Sequence, residues 1–190
     1  GPVATALRVA EDGAGGYTLL PPFAPELGGM LGFANAPIGA DGMVRRFTPV
    51  LPRAGGGWLP AFSLATLAAS AGLPPAELAK RLAGDGAGIP LPLRDESGTL
   101  AGPADTPVSQ LAARPWRIDF TGPAGAFTTF PSEPLVQLAR AGIVPDQDNP
   151  FRDRIVLVGA TFTESRDLFP TPTGLMAGVE IHSHMVNTLL

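Results

Sequence analysis

The stretch 154-RIVLVGATFTESRDLFPTPTGLMAGVEIHSHMVNTLL-190 decides the reading of this chain. It opens on a fully apolar run, Ile155 to Val158, of the kind carried by a strand buried on both faces in a parallel or mixed sheet. It closes on an amphipathic helix, 178–190, in which Ile181, Met185 and Leu189 recur at helical spacing with Val186 and Leu190 beside them. Between the two, 159–177 reads as a loop leaving the carboxyl edge of the sheet, where α/β proteins often hold their ligands. A buried strand followed by an amphipathic helix predicts an α/β layer architecture.

Working outward, WRIDFTGP (116–123) alternates, with Trp116, Ile118 and Phe120 on one side, which predicts a half-buried strand. Phe62, Ala65 and Ala69 place a helix over about 60–71 with Gly72 as its stop. A second short helix starts at Pro74–Pro75, carries Leu78 and Leu82 on one side and ends at Gly84. Ser132 is positioned to cap a helix to about Ala141, with Leu135, Leu138 and Ala139 inward. VATALRV and YTLL read as short strands near the start, and PPFAPELGG as loop. Asp41–Gly42 is a preferred turn pair, so 31–35 and 43–51 are expected as strands joined through it. The breaker-rich segment 84–111 holds few core candidates and is expected to be the variable part. The expected fold is one domain, 1–190: a layered mixed β-sheet with 154–158 internal, flanked by helices 60–71, 131–141 and 178–190.

Composition narrows the function. The chain has 24 Gly and 22 Pro among 190 residues, but 45% hydrophobic residues and runs such as LATLAASAG argue for a folded core. A net charge of -4, with Arg45–Arg46 as the one adjacent arginine pair, argues against a general nucleic-acid binder. Absence of cysteine excludes thiolate catalysis, disulfides and cysteine metal sites. The longest apolar runs fall far short of the roughly 18 residues of a membrane span.

Five residues form the candidate ligand-binding set. Asp167 lies on the loop past the apolar strand, either to contact a ligand or to accept hydrogen bonds from its own loop. Arg45 and Arg46 alternate on a strand, so at most one faces a pocket. Asn35 is a turn capper or a pocket residue, and Thr171 is a polar group near a sheet end. Asp41, Gly42, Gly159, Pro172 and Gly178 are assigned to structural turns, Gly159 also permitting close backbone approach. His182 and His184, two apart on a helix, do not share a face, so no metal site is assigned. Glu180, near the helix start, suits the helix dipole. No dinucleotide fingerprint, nucleophile elbow, HExxH motif or P-loop occurs. A catalytic reading requires His182 or His184 bonded to an exposed Ser or Thr in a cleft.

In order along the chain, GFANAPIGADGMVRRFTPV, LPAFSLATLAA, WRIDFTGPAGAFTTFP and the stretch from Phe151 to Leu190 resemble the CHASE2 family of bacterial sensory domains. Its pattern of Val-x-x-Gly, Asp, Thr-Pro, Gly-Val-Glu and His falls at Val156, Gly159, Asp167, Thr171–Pro172, Gly178–Glu180 and His182. The resemblance implies a non-catalytic signal-input domain, without cofactor, on the extracytoplasmic face of the bacterial cell membrane. Transmembrane helices, beginning just beyond Leu190, would link it to a cytoplasmic cyclase, kinase or diguanylate cyclase. Its implied partner is a small molecule or periplasmic protein, and the full receptor is implied to be a homodimer. The family opens with a βαβ-like half carrying an Ile/Val-Asp-Ile-Asp strand and a Gly-Arg-Trp-Pro-Trp segment, which are not found here. The chain is therefore expected to be the C-terminal, membrane-proximal portion, lacking the N-terminal half. Two other readings stand beside this one: a protein-interaction or scaffold module without a concave polar pocket, and a small α/β hydrolytic enzyme.

Overall fold

The computed structural model describes residues 2–21, 29–84, 88–94, 105–143 and 149–190. Its elements run β1 (Ala4–Leu7), β2 (Val9–Glu11), β3 (Tyr17–Leu19), β4 (Met30–Phe33), β5 (Arg46–Phe47), β6 (Val50–Pro52), β7 (Trp58–Pro60), α1 (Phe62–Ser70), α2 (Pro75–Ala83), α3 (Val108–Ala112), β8 (Trp116–Arg117), α4 (Ser132–Arg140), β9 (Leu168–Thr171), β10 (Gly174–Ala177) and α5 (Gly178–Leu189). The class is mixed α/β, as expected. The described strands pair as five two-stranded ladders rather than one broad sheet: β1 with β4 in parallel, and β2–β3, β5–β8, β6–β7 and β9–β10 antiparallel.

The core forms where α1 lies between the β1–β4 ladder and α5. Seven of the nine α1 residues, Ser63 to Ala69, are buried. A helix apolar nearly all round belongs inside. It ends in a Schellman motif: Gly72 donates to the Ala69 carbonyl and Leu73 to that of Ala68, with Gly72 at φ 74° and Leu73 packed on the core. α5 supplies Ile181, Met185 and Leu189, each at most 2% exposed, so its predicted stripe is the one it buries. Burying such side chains contributes about 1.5–3 kcal/mol apiece. The Trp116–Ile118 alternation also holds, with both buried and Arg117 exposed, although only Trp116–Arg117 forms a ladder.

Several expectations are corrected. The run 154–158 is not an internal strand: Val156 and Val158 are 49% and 88% exposed. No backbone hydrogen bond joins 155–161 to another described residue. Apolarity prepares a segment for burial, but a strand also needs a neighbouring edge to bond, and this run lies across a cavity from β1. The Asp41–Gly42 turn closes only the Ile38–Val44 bridge, because β4 takes β1 as its partner. The loop 159–177 contains the β9–β10 hairpin, turned at Pro172–Thr173. α4 buries none of its residues, with Leu138 36% exposed, so Leu135, Leu138 and Ala139 do not face a core. Ser132 does not cap it; the cap position is Pro131, without a side-chain bond.

Against the expectation of few core residues in 84–111, Ile89, Leu91, Leu93, Val108 and Leu111 are all buried. Both described ends of the segment are tied to the rest: Arg81, on α2, pairs with Glu77 and Asp105 and donates to the Gly88 carbonyl, and Ile89 and Thr106 exchange backbone hydrogen bonds. Residues 85–87 and 95–104 of that segment, and most of PPFAPELGG, lie outside the described residues.

Candidate functional site

A partly open cavity of about 740 Å³ lies between β1, the run 156–159 and the first turns of α5. Its size is that of a small-molecule site. Val3 and Leu7 accept from Met30 and Ala34 through their carbonyls, four residues apart, so those residues direct their backbone at β4. By the two-residue period of a strand, Ala4 and Ala6 direct theirs to the opposite edge, which borders the cavity. Val44, Phe62 and Phe169 complete an apolar wall.

Two polar side chains matter in that wall. Asp167 is half-buried just before β9, and its backbone carbonyl accepts from Gly178 at the start of α5. A β-carbon on Gly178 would stand 2.5 Å from an Asp167 carboxylate oxygen, so the carboxylate rests against the bare helix start. Among the described residues that carboxylate has no ion-pair or hydrogen-bond partner. Burial raises its pKa above the usual carboxylate value. His182, one turn along α5, packs edge-on against Phe62. Its Nδ1 is buried without a partner, and burial pushes the imidazole pKa down to about 4, leaving the ring neutral near pH 7. Gly159 lets 156–159 close on α5, since a β-carbon there would meet the Val179 side chain at 2.6 Å.

The other sequence candidates lie outside this wall. Arg45 grips Asp41 at 2.6 Å, which lowers the Asp41 pKa, in an exposed pair that closes the turn with Gly42. Arg46 is exposed, at 3.4 Å from the Pro115 carbonyl, and pairs across the ladder with Arg117. Asn35 accepts from the Val9 amide, while Thr171 donates to the Gly174 carbonyl beside Pro172, inside the β9–β10 hairpin. The cavity thus gathers Asp167 alone of the five and adds His182.

Sequence reasoning missed a second face of α5. Glu180, His184 and Thr188 recur every four residues and accept from the backbone amides of Gly125, Thr121 and Asp119, at 2.8, 3.4 and 2.9 Å. His184 is fully buried between the rings of Phe120 and Phe127. The four-residue spacing of polar residues on an apolar helix was the available signal. Among the described residues neither histidine is bonded to an exposed Ser or Thr, the condition set for a catalytic reading. Among the described residues no group of three or more metal-ligating side chains gathers, and no described helix is long and apolar enough to cross a membrane.

The family model for the CHASE2 domain matches residues 4–190. The chain belongs to the CHASE2 family. No curated protein matches it, and no solved structure does. CHASE2 domains are non-catalytic sensor modules on the extracytoplasmic face of the bacterial membrane, and this chain is such a signal-input domain. The match corrects one expectation. Beginning at residue 4, it covers the first strands as well as the last helix, so the chain is not a C-terminal remnant of the CHASE2 fold. Within VATALRV, Ala4–Leu7 forms β1 without the motifs sought at the start.

Proposed function

We propose that this CHASE2 domain takes its signal as a small molecule held in the cavity between β1 and α5, and passes it on through α5. The observation that carries the reading is the double role of one helix. Gly178, Val179, Ile181 and His182 line the cavity, while Ile181, Met185 and Leu189 anchor the same helix in the core. A molecule pressing on the first turn acts on a rigid rod whose packing has few alternative arrangements. Asp167 is the polar contact from the cavity wall. In the full receptor, a homodimer, the helix hands the change to membrane helices and then to a cyclase, kinase or diguanylate cyclase module.

A protein partner is the second reading, favoured by the exposed apolar run Ile155, Val156 and Val158. The test is insertion of one to four residues after Leu190 in the intact receptor, each turning the following helix by about 100°. Rigid transmission through α5 predicts output that changes with the helical phase of the insert. Output indifferent to every length would refute it and leave tethering or dimerisation as the mechanism.

A further inference from the structure

The polar groups of the cavity determine which molecule it accepts. Asp167 presents a carboxylate with no ion-pair or hydrogen-bond partner among the described residues. It is the one acidic side chain among the described lining residues, and no Arg or Lys stands with it. His182 adds a neutral ring whose Nδ1 is buried away from the space, so the carboxylate is the charged group open to a ligand. Most of the remaining lining is apolar: Val3, Val44, Phe62, Val156, Val158 and Phe169 among others. An unpaired, half-buried carboxylate gains from an arriving donor, because part of its loss of water is already suffered in the empty site.

Resting on the reading of this cavity as the ligand site, we propose that it takes a compact apolar molecule carrying an ammonium head, seated against the Asp167 carboxylate. A hydroxyl head donates to the same carboxylate without the charge and binds more weakly. A carboxylate head meets Asp167 as a like charge and is rejected. Charge on the head, rather than shape of the body, sets the order. The apolar walls accept many bodies of suitable size, whereas the Asp167 carboxylate favours a donor that carries positive charge.

Three probes with one body separate these heads: 1-adamantanemethylamine, 1-adamantanemethanol and 1-adamantanecarboxylate, each titrated calorimetrically into the 190-residue domain near pH 7. The expected order is amine, then alcohol, then carboxylate, with amine over carboxylate by about a hundred-fold or more. Asp167→Asn should weaken the amine by about ten-fold or more and leave the alcohol nearly unchanged. Ala6→Trp, at an exposed position of the wall, fills the space and should abolish binding of all three.

The outcomes separate the two ideas. Carboxylate binding as tight as amine overturns the ammonium assignment while the cavity remains the ligand site. Amine binding that Asp167→Asn leaves untouched does the same. If no probe binds, or if Ala6→Trp leaves binding intact, the cavity itself is not the ligand site and both readings fall. Circular dichroism of each variant confirms that the comparison is made between folded proteins.

Discussion

Truncating Met185 to alanine measures how firmly α5 is held, on which transmission depends. Met185 is 1% exposed and sits between Ile181 and Leu189, at 2% and 0%, in the same core as Leu64, Ala65, Ala68 and Ala69 of α1. Truncation of a buried methionine costs about 2–5 kcal/mol, the upper part applying where neighbours cannot move into the gap. At 1% exposure the whole of that range, about 2–5 kcal/mol, is open to Met185. Spread over a domain of 190 residues, that lowers Tm by roughly 4–20 °C. Urea unfolding followed by circular dichroism supplies the measurement, with a lower midpoint and an unchanged slope expected. Leu190→Ala is the control, because Leu190 is 51% exposed and should change stability by less than about 0.5 kcal/mol. A Met185→Ala loss below about 1 kcal/mol would refute the reasoning, since no buried, well-packed stripe tolerates that truncation so cheaply.

Three further outcomes follow from the same packing. His182, its pKa pushed down to about 4 by burial, leaves the unfolded chain to bind the proton first; stability should therefore fall between about pH 6.5 and pH 4, by on the order of 3 kcal/mol, and level off below. His184, also lowered, adds to that fall, and Asp167, raised, opposes it as pH drops through its own pKa; His182→Gln should remove most of the slope in denaturant midpoints, and an unaltered slope contradicts the assignment. Gly178→Ala brings a β-carbon against the Asp167 carboxylate and should cost about 1–3 kcal/mol, much of it recovered in the double variant with Asp167→Ala; strictly additive costs would show that the two do not touch. Val158→Ser, at a position 88% exposed, should shift stability by no more than about 0.5 kcal/mol, and a loss above about 2 kcal/mol would restore 154–158 to the core.

What could be read from the chain was what local pattern encodes. α1, α2 and α5 stand near their predicted bounds because apolar spacing and Gly or Pro punctuation act within a few residues. The Ile181–Met185–Leu189 stripe was legible for the same reason. Strand partners were not: β4 pairs with β1 across more than twenty intervening residues, and nothing local distinguishes that partner from 43–51. RIVLVGA shows the limit most sharply, since its apolarity is the same whether or not an edge is available to bond it. The 84–111 segment failed oppositely: breakers separate its apolar residues, and the contacts at its described ends, Arg81 with Gly88 and Asp105 and Ile89 with Thr106, have no local signature. At the site, Asp167 was legible as a carboxylate following an apolar run near a Gly-rich junction. Two histidines two apart make a poor metal pair, and that test says nothing about a neutral ring packed into a cavity wall, where His182 stands.

The central claim, that the signal enters through the cavity bordered by β1 and α5, is tested most directly by filling that cavity in the intact receptor. Ala6→Trp and Ala6→Ser occupy the same exposed wall position, and only the first adds bulk to the space. The measurement is the output activity of each receptor in native membranes, normalised to the amount of receptor present. The account predicts that Ala6→Trp shifts basal output away from wild type while Ala6→Ser does not. Identical output from wild type and both variants would contradict it.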